Sequence, residues 1–303
     1  MRGHYPGPGI HSVKIDSIRA LYPFESHVLD LGGVQYHYLD EGRGEPIVML
    51  HGNPTWSFYY RHLIMDLRSR YRVVAPDHVG CGLSDKPQRY DYTLERHIAN
   101  LEALMEHLAL KNITLVMHDW GGPIGMGYAV RHPGHVRRFV IFNTVAFWSP
   151  HIPLFLRLCR LPFFGPIAIR GLNLFAVVAA RVACRHRERM TEEVKAGYLF
   201  PYGSYADRIA VLRFVQDIPV NSAHPTFAAL QSIENGLAQF GRHPMIILWG
   251  GKDPVFTAPL LESWKQRFPD AVVKEIADAG HYVIEDAHER IIPWLREFLD
   301  KTS

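Results

Sequence analysis

Short apolar runs recur along this chain, each bounded by turn-forming residues, and longer amphipathic stretches separate them. The short runs fall at residues 34–39, 47–50, 72–75, 114–117, 139–142, 245–249 and 272–276. Several are apolar at nearly every position, the pattern of a strand covered on both faces. Residues 94–108, 121–132 and 291–299 carry apolar positions at helical spacing instead. Strands that alternate with helices predict an α/β protein with a mostly parallel central sheet flanked by helices. In such sheets the sites gather beyond the carboxyl ends of the strands.

The alternation stops between Phe147 and about Pro219. That region is helical in pattern and punctuated by proline, and it is expected to lie over the sheet's carboxyl edge as a helical cap. The expected division is a core domain of residues 1–147 and 220–303 with a cap domain of residues 148–219. Charge is uneven here. No Asp or Glu occurs from Trp120 to Arg187, whereas nine arginines do. Residues 163–184 are apolar enough to raise a transmembrane reading, but Arg170, Arg181, glycines and a proline interrupt them. A spanning helix needs about 20 clean apolar residues, so a cap helix lining an apolar pocket is favoured. Basic residues beside apolar faces also raise membrane-surface contact or self-association. Of these, membrane contact is not expected, and a homo-oligomer is left open.

Composition narrows the classes. At 303 residues, 48% apolar and 21% charged, the chain reads as an ordinary globular protein able to bury a large core. A net charge of +3 is too mild to argue for nucleic acid, and no nucleic-acid-reading motif appears. Cys81, Cys159 and Cys184 are scattered, which fits a reducing, cytoplasmic setting and no metal site. Residues 1–10 are rich in Gly and Pro and show no signal-peptide pattern.

The chemistry concentrates at Met117-His118-Asp119-Trp120-Gly121. This stretch joins a strand run to a helix that opens on Gly121-Gly122, where a G-x-S-x-G turn would hold its serine on a strained corner. Here the central residue is Asp119. A carboxylate nucleophile attacks carbon to make an ester, chemistry suited to alkyl halides or epoxides. As an alternative, Asp119 could simply cap the helix. His281, in Ala279-Gly280-His281 past the last strand run, is the candidate base, since nucleophile, acid and histidine follow that chain order in this kind of site. Asp253, in the turn after the 245–249 run, is the candidate acid. Asn143, at the rival position, cannot stabilise an imidazolium as a charge. Asp278, Glu285 and Asp286 are expected to cap the last helix or face water. His118 is read as structural, His51 as shaping its own loop, and most other histidines as solvated.

His51-Gly52-Asn53-Pro54 follows the 47–50 run, where an oxyanion hole would form. The Asn53 amide and the Trp120 indole could hold a departing halide between them, worth a few kcal/mol in the transition state. Packing under the cap for Trp120, and a turn role for Asn53, are the competing readings.

His51 to Trp56, Asp77 to Asp85, His118 to Gly122, Asp253 and Gly280-His281 together give the chain a resemblance to the haloalkane dehalogenases of the α/β-hydrolase superfamily. The resemblance covers about residues 34–299, with the cap matching loosely. It implies the α/β-hydrolase fold, Asp119 as nucleophile, His281 as base, Asp253 as acid, and Asn53 with Trp120 as the halide-binding pair. A halogenated alkane, water and the halide product are then its partners, and no cofactor or metal is needed. An acid after the penultimate strand, with an Asn–Trp halide pair, resembles one subfamily whose members tend to self-associate. Met117 departs from the general elbow pattern. No second halide-binding tryptophan is placed, Trp148 being a candidate only. The rival is an epoxide hydrolase using the same triad with Tyr198, Tyr202 and Tyr205 as proton donors; a non-catalytic binding protein of the same fold comes after it.

Overall fold

The apolar runs assemble into one eight-stranded sheet, and the most uniformly apolar of them lie at its centre. The computed structural model describes residues 16–302, so the Gly- and Pro-rich stretch at residues 1–10 lies outside the described residues. The strands are β1 (Ser26–Asp30), β2 (Gln35–Glu41), β3 (Pro46–Leu50), β4 (Arg72–Pro76), β5 (Ile113–Met117), β6 (Val136–Ile141), β7 (Met245–Gly250) and β8 (Val272–Ile276). Their order is β1-β2-β4-β3-β5-β6-β7-β8, with β2 antiparallel to both of its neighbours, β1 and β4, and the pairings from β4–β3 to β7–β8 parallel. β5 and β7 are buried at every position, as strands sandwiched between helix layers must be.

Two strands differ from the sequence expectation, for a physical reason. β1 was not foreseen because Ser26-His27-Val28-Leu29-Asp30 is an edge strand with polar ends and little apolar signal. β6 begins at Val136, ahead of the 139–142 run, because Arg137 and Arg138 hide its start. Arg138 is nonetheless fully buried: its guanidinium donates to Thr114 Oγ1 at 2.7 Å and to the Leu299 carbonyl at 3.2 Å, and it pairs with Glu45.

The helices are α1 (Arg61–Leu67), α2 (Leu94–His107), α3 (Gly121–Arg131), α4 (Leu154–Cys159), α5 (Leu174–Val182), α6 (Glu192–Leu199), α7 (Ile209–Gln216), α8 (Pro225–Gly236), α9 (Ala258–Arg267) and α10 (Val283–Lys301). Thr93 caps α2, its hydroxyl accepting from the Arg96 N–H, and Glu95 adds an acidic first turn. α10 starts well before the 291–299 stretch, since its first turns are buried on several sides and carry no amphipathic period. Glu285 and Asp286 sit there, 2% and 1% exposed, which corrects the expectation that they cap the helix or face water. Glu285 accepts from Arg61 Nη2 at 2.9 Å and from the Tyr198 hydroxyl at 2.6 Å. A carboxylate survives at that depth only because such partners offset its lost hydration.

Between β6 and α8 the chain forms α4 to α7 and one turn of π-helix, Pro166–Gly171, with no strand. Leu156, Ile169, Val211 and Val215 build a small core of their own there, apart from the two cores on the faces of the sheet. The apolar 163–184 run is split at Asn173, whose φ of 55° ends one helix before α5 begins. Among the described residues no helix is long and apolar enough to cross a membrane.

β3 lies between β4 and β5, so the chain leaves β3 toward one side of the sheet and leaves β5 toward the other. That reversal opens a crevice past the carboxyl ends of β3 and β5. Residues 51–54 and 118–121 are the loops that line it.

Candidate active site

Leu50 and Met117 are register partners at the ends of β3 and β5, which sets the two loops edge to edge. Asp119 turns the corner into α3 with φ 51°, a left-handed conformation strained for a side chain larger than glycine. Its neighbours must be small to permit this. A Cβ on Gly52 would strike the Asp119 side chain, and one on Gly121 would strike the Leu50 carbonyl. The corner lifts the carboxylate off the sheet to the floor of a cavity.

Asp119 Oδ1 accepts from the Asn53 backbone N–H at 2.7 Å, and the Trp120 backbone N–H also favours its ionised form. Its other oxygen, Oδ2, lies 3.9 Å from His281 Nε2. Burial pushes the Asp119 carboxyl upward, opposed by His281 and by those two N–H groups, and the net shift is up. Staying ionised, as a nucleophile must, therefore needs partners that offset the burial. The imidazole and the two amides carry that task against the desolvation.

His281 Nδ1 meets Asp253 Oδ2 at 2.8 Å. Asp253 Oδ1 accepts from the N–H groups of Val255 and Phe256, which fixes the carboxylate in the turn after β7. Burial lowers the imidazole's proton affinity, but the charges of Asp253 and Asp119 overcome it and raise its pKa above the ordinary histidine value. His118 Nε2 bonds the His281 carbonyl at 2.9 Å, supporting the loop from beneath. Asn143 bridges to Gly250 in both directions and so seats the turn that carries Asp253. His51 bonds the Gly52 carbonyl and accepts from the His78 N–H, shaping its loop as expected. The histidines at 37, 78 and 97, grouped with the solvated ones from sequence, are buried instead.

Asp119, His281, Asp253, Asn53 and Trp120 are thus brought together from four separate loops. The Trp120 indole faces the cavity and packs on Phe214 at 5.2 Å. Asn53 also lines the cavity, with one proton of Nδ2 given to the Val211 carbonyl at 3.1 Å and Oδ1 left without a partner. Trp148, the candidate second halide ligand, donates its indole N–H to the Pro219 carbonyl. The three tyrosines available to an epoxide reading do not line the cavity. Tyr198 is spent on Glu285, Tyr202 points toward Thr55, and Tyr205 is exposed beside Arg170.

The cavity measures about 590 Å³, within the range of small-molecule sites. Leu156, Ile169, Phe175 and Val215 of the helical insertion form much of its wall, facing Leu230, Phe256 and Leu260 of the sheet side. A cap helix lining an apolar pocket was expected from sequence, but the individual wall residues were not, because they look like ordinary core until the helices are placed. Among the described residues no cluster of His, Cys, Asp and Glu is arranged to hold a metal ion.

Comparison with known proteins agrees with the geometry. Residues 45–287 match the family model of the alpha/beta hydrolase fold. A cis-3-alkyl-4-alkyloxetan-2-one decarboxylase of Shewanella oneidensis is 46% identical, over 93% of this chain and 91% of its own. Haloalkane dehalogenase 2 of Mycobacterium tuberculosis is 35% identical, over 89% and 93%. Among solved structures, the haloalkane dehalogenase DatA of Agrobacterium tumefaciens superposes with a TM-score of 0.84 at 27% identity, covering 94% of this chain and 99% of that one. Taken with the carboxylate at the elbow, these matches show that the chain is an enzyme of the α/β-hydrolase family, within the group that takes in the haloalkane dehalogenases.

Proposed function

We propose that Asp119 is a carbon-attacking nucleophile and that its main substrate is a cis-3,4-dialkyl oxetan-2-one, which it decarboxylates to an alkene. The observation that carries this reading is a buried carboxylate on the floor of an apolar cavity of about 590 Å³, roomy enough for two alkyl chains. The 46% identity to an oxetanone decarboxylase supports the same substrate class.

The steps follow from the geometry. With Oδ1 held by the Asn53 amide, Oδ2 is left to attack the ring carbon that bears the ring oxygen. It approaches opposite that oxygen, the carbon–oxygen bond breaks, and the oxygen leaves as a carboxylate still attached to the neighbouring carbon. The Trp120 indole N–H and the Asn53 amide would receive this departing charge, as they would a halide. In the four-membered ring the oxygen and the carboxyl carbon are nearly eclipsed, so backside attack leaves the new Asp119 ester nearly antiperiplanar to the carboxylate. The carbon–carboxylate bond then breaks, its electron pair becomes the new π bond, and the ester oxygen departs as the regenerated Asp119 carboxylate. Carbon dioxide and a cis alkene result. No proton is transferred and no water is consumed.

Haloalkane hydrolysis is the second reading, and the fixed His281–Asp253 pair favours it. Attack of Oδ2 on the halide-bearing carbon expels halide and leaves an alkyl ester whose carbonyl is Oδ1. His281 then takes a proton from water, which attacks that carbonyl, and the oxyanion develops where the Asn53 and Trp120 amides already point. Asp253 keeps the imidazole in the required tautomer. Alkyl alcohol, halide and a proton are released.

Product analysis separates the two. Purified protein is given a cis-dialkyl oxetanone in one vessel and 1-iodobutane in another, with alkene, carbon dioxide, alcohol and halide measured in each. The first reading expects alkene to exceed alcohol by orders of magnitude, with Asp119→Ala eliminating both products. Halide release with no alkene from any oxetanone would overturn it in favour of the second.

A further inference from the structure

Most of the large apolar side chains that this protein leaves exposed belong to residues 154–182, in the helical insertion. Phe163 is 84% exposed and Ile167 62%, and neither lines the cavity. Phe155, Phe164, Val178 and Val182 do both: they line the cavity and stand exposed. The cavity therefore opens through this apolar face. Around it lie Arg157, Arg181, Arg185 and Arg187, all exposed and none in an ion pair among the described residues. The chain holds no carboxylate from Trp120 to Arg187. The nearest carboxylates in sequence are Glu188 and Glu192, and the latter pairs with Lys195.

We propose that this face docks on an anionic lipid surface, with the cavity mouth opening into the acyl boundary. An apolar patch ringed by unpaired arginines has the composition of a surface-seated, non-spanning membrane contact. Charge argues against a second copy as the occupant. A two-fold interface would set arginine against arginine, with only Glu188 and the Lys195-paired Glu192 near enough in sequence to separate them. The absence of a spanning helix is compatible with this, because docking buries a face rather than crossing the bilayer. This proposal departs from the expectation from sequence, in which the membrane is not a partner. Lipid docking would also give a water-insoluble dialkyl substrate a direct path into the cavity.

The test is co-sedimentation of the full chain with vesicles of phosphatidylcholine alone and of phosphatidylcholine with phosphatidylglycerol. Binding to the anionic vesicles is expected to exceed that to neutral ones by about tenfold or more at low salt, and to fall as salt screens the arginines. Arg181→Ala with Arg187→Ala should erase most of that difference. Phe163→Ser with Ile167→Ser should lower binding about tenfold, while an unchanged melting curve shows that the fold is intact. No binding to either vesicle, or equal binding to both, overturns the proposal. So does a dimer in solution that the Phe163→Ser, Ile167→Ser variant dissolves. Vesicle binding involves no turnover, so this result stands apart from the identity of the reaction.

Discussion

The loops at the carboxyl edge of the sheet and the helices laid over them face the same cavity, yet they are held in place by different forces. At the sheet edge the key side chains are held by directed hydrogen bonds. Asp119 is held by Asn53, His281 by Asp253, Asp253 by two backbone amides, and the whole is braced by His118 and Asn143. The helical insertion instead meets the cavity through aliphatic and aromatic side chains that attract without direction. Directional bonds fix atoms to fractions of an ångström, as a reacting carboxylate requires. Apolar contacts set only shape and volume, so that side can change its substrate while the chemistry stays the same. A decarboxylase and a dehalogenase among the relatives of one chain are what such a division permits.

The sharpest way to break this division is His281→Phe. Haloalkane hydrolysis should fall by about 10⁴-fold with the alkyl ester accumulating on Asp119, since this step needs a base. Alkene formation should fall less than about tenfold, since no proton moves in it. Intact-protein mass spectrometry with product assays reads both, and equal losses would show that His281 serves the two reactions alike.

Next in size is a change at the buried base of the sheet-edge region. Arg61→Ala leaves Glu285 and Tyr198 buried without their cation, and a buried pair broken from one side costs about 3–5 kcal/mol. Denaturant unfolding measures it. A loss under about 1 kcal/mol would mean that water reaches Glu285 and that the region is softer than its bonding suggests. Trp120→Phe keeps the ring and removes the indole N–H. Turnover of either substrate should drop about 10²-fold through kcat, as for an oxyanion donor. Single-turnover kinetics would read the step.

The pH dependence sharpens the contrast further. The Asp119 pKa is raised by burial, so both reactions should lose rate as pH falls through a value above the ordinary carboxylate range. The His281 pKa is also raised, and hydrolysis needs its neutral form. Alcohol release should therefore show an additional loss below a pH above the usual imidazole value, absent from alkene release. The smallest expected effect is on the insertion side. Val178→Trp narrows the cavity and should raise KM for long dialkyl substrates several-fold while short haloalkanes barely change, a KM against kcat comparison.

The elbow residue, the chain order of the Asp119, Asp253 and His281 that meet there and the alternating strands were legible in the sequence because each depends on local pattern. A strand buried on both faces must be apolar throughout, and a corner at positive φ must have glycines around it, so residues 47–50 and Gly121 announce themselves. Which residues bond the elbow carboxylate was half legible. Asn53 and Trp120 were placed, but the bond from Asn53 to Val211 was not, since Val211 sits far along the chain on α7. The burial of Glu285, Asp286 and His97 was hidden because nothing adjacent in sequence reveals the Arg61 guanidinium, the backbone amides of residues 185 and 186, or the Phe214 ring that meets each of them. The sequence by itself determined the sheet and the carboxylate at the elbow, properties set by backbone period and local side-chain chemistry. Only the tertiary structure decided the cavity's volume, the exclusion of the three tyrosines and the apolar face around its mouth. These depend on how helices far apart in the chain pack against one another, and no local pattern encodes that.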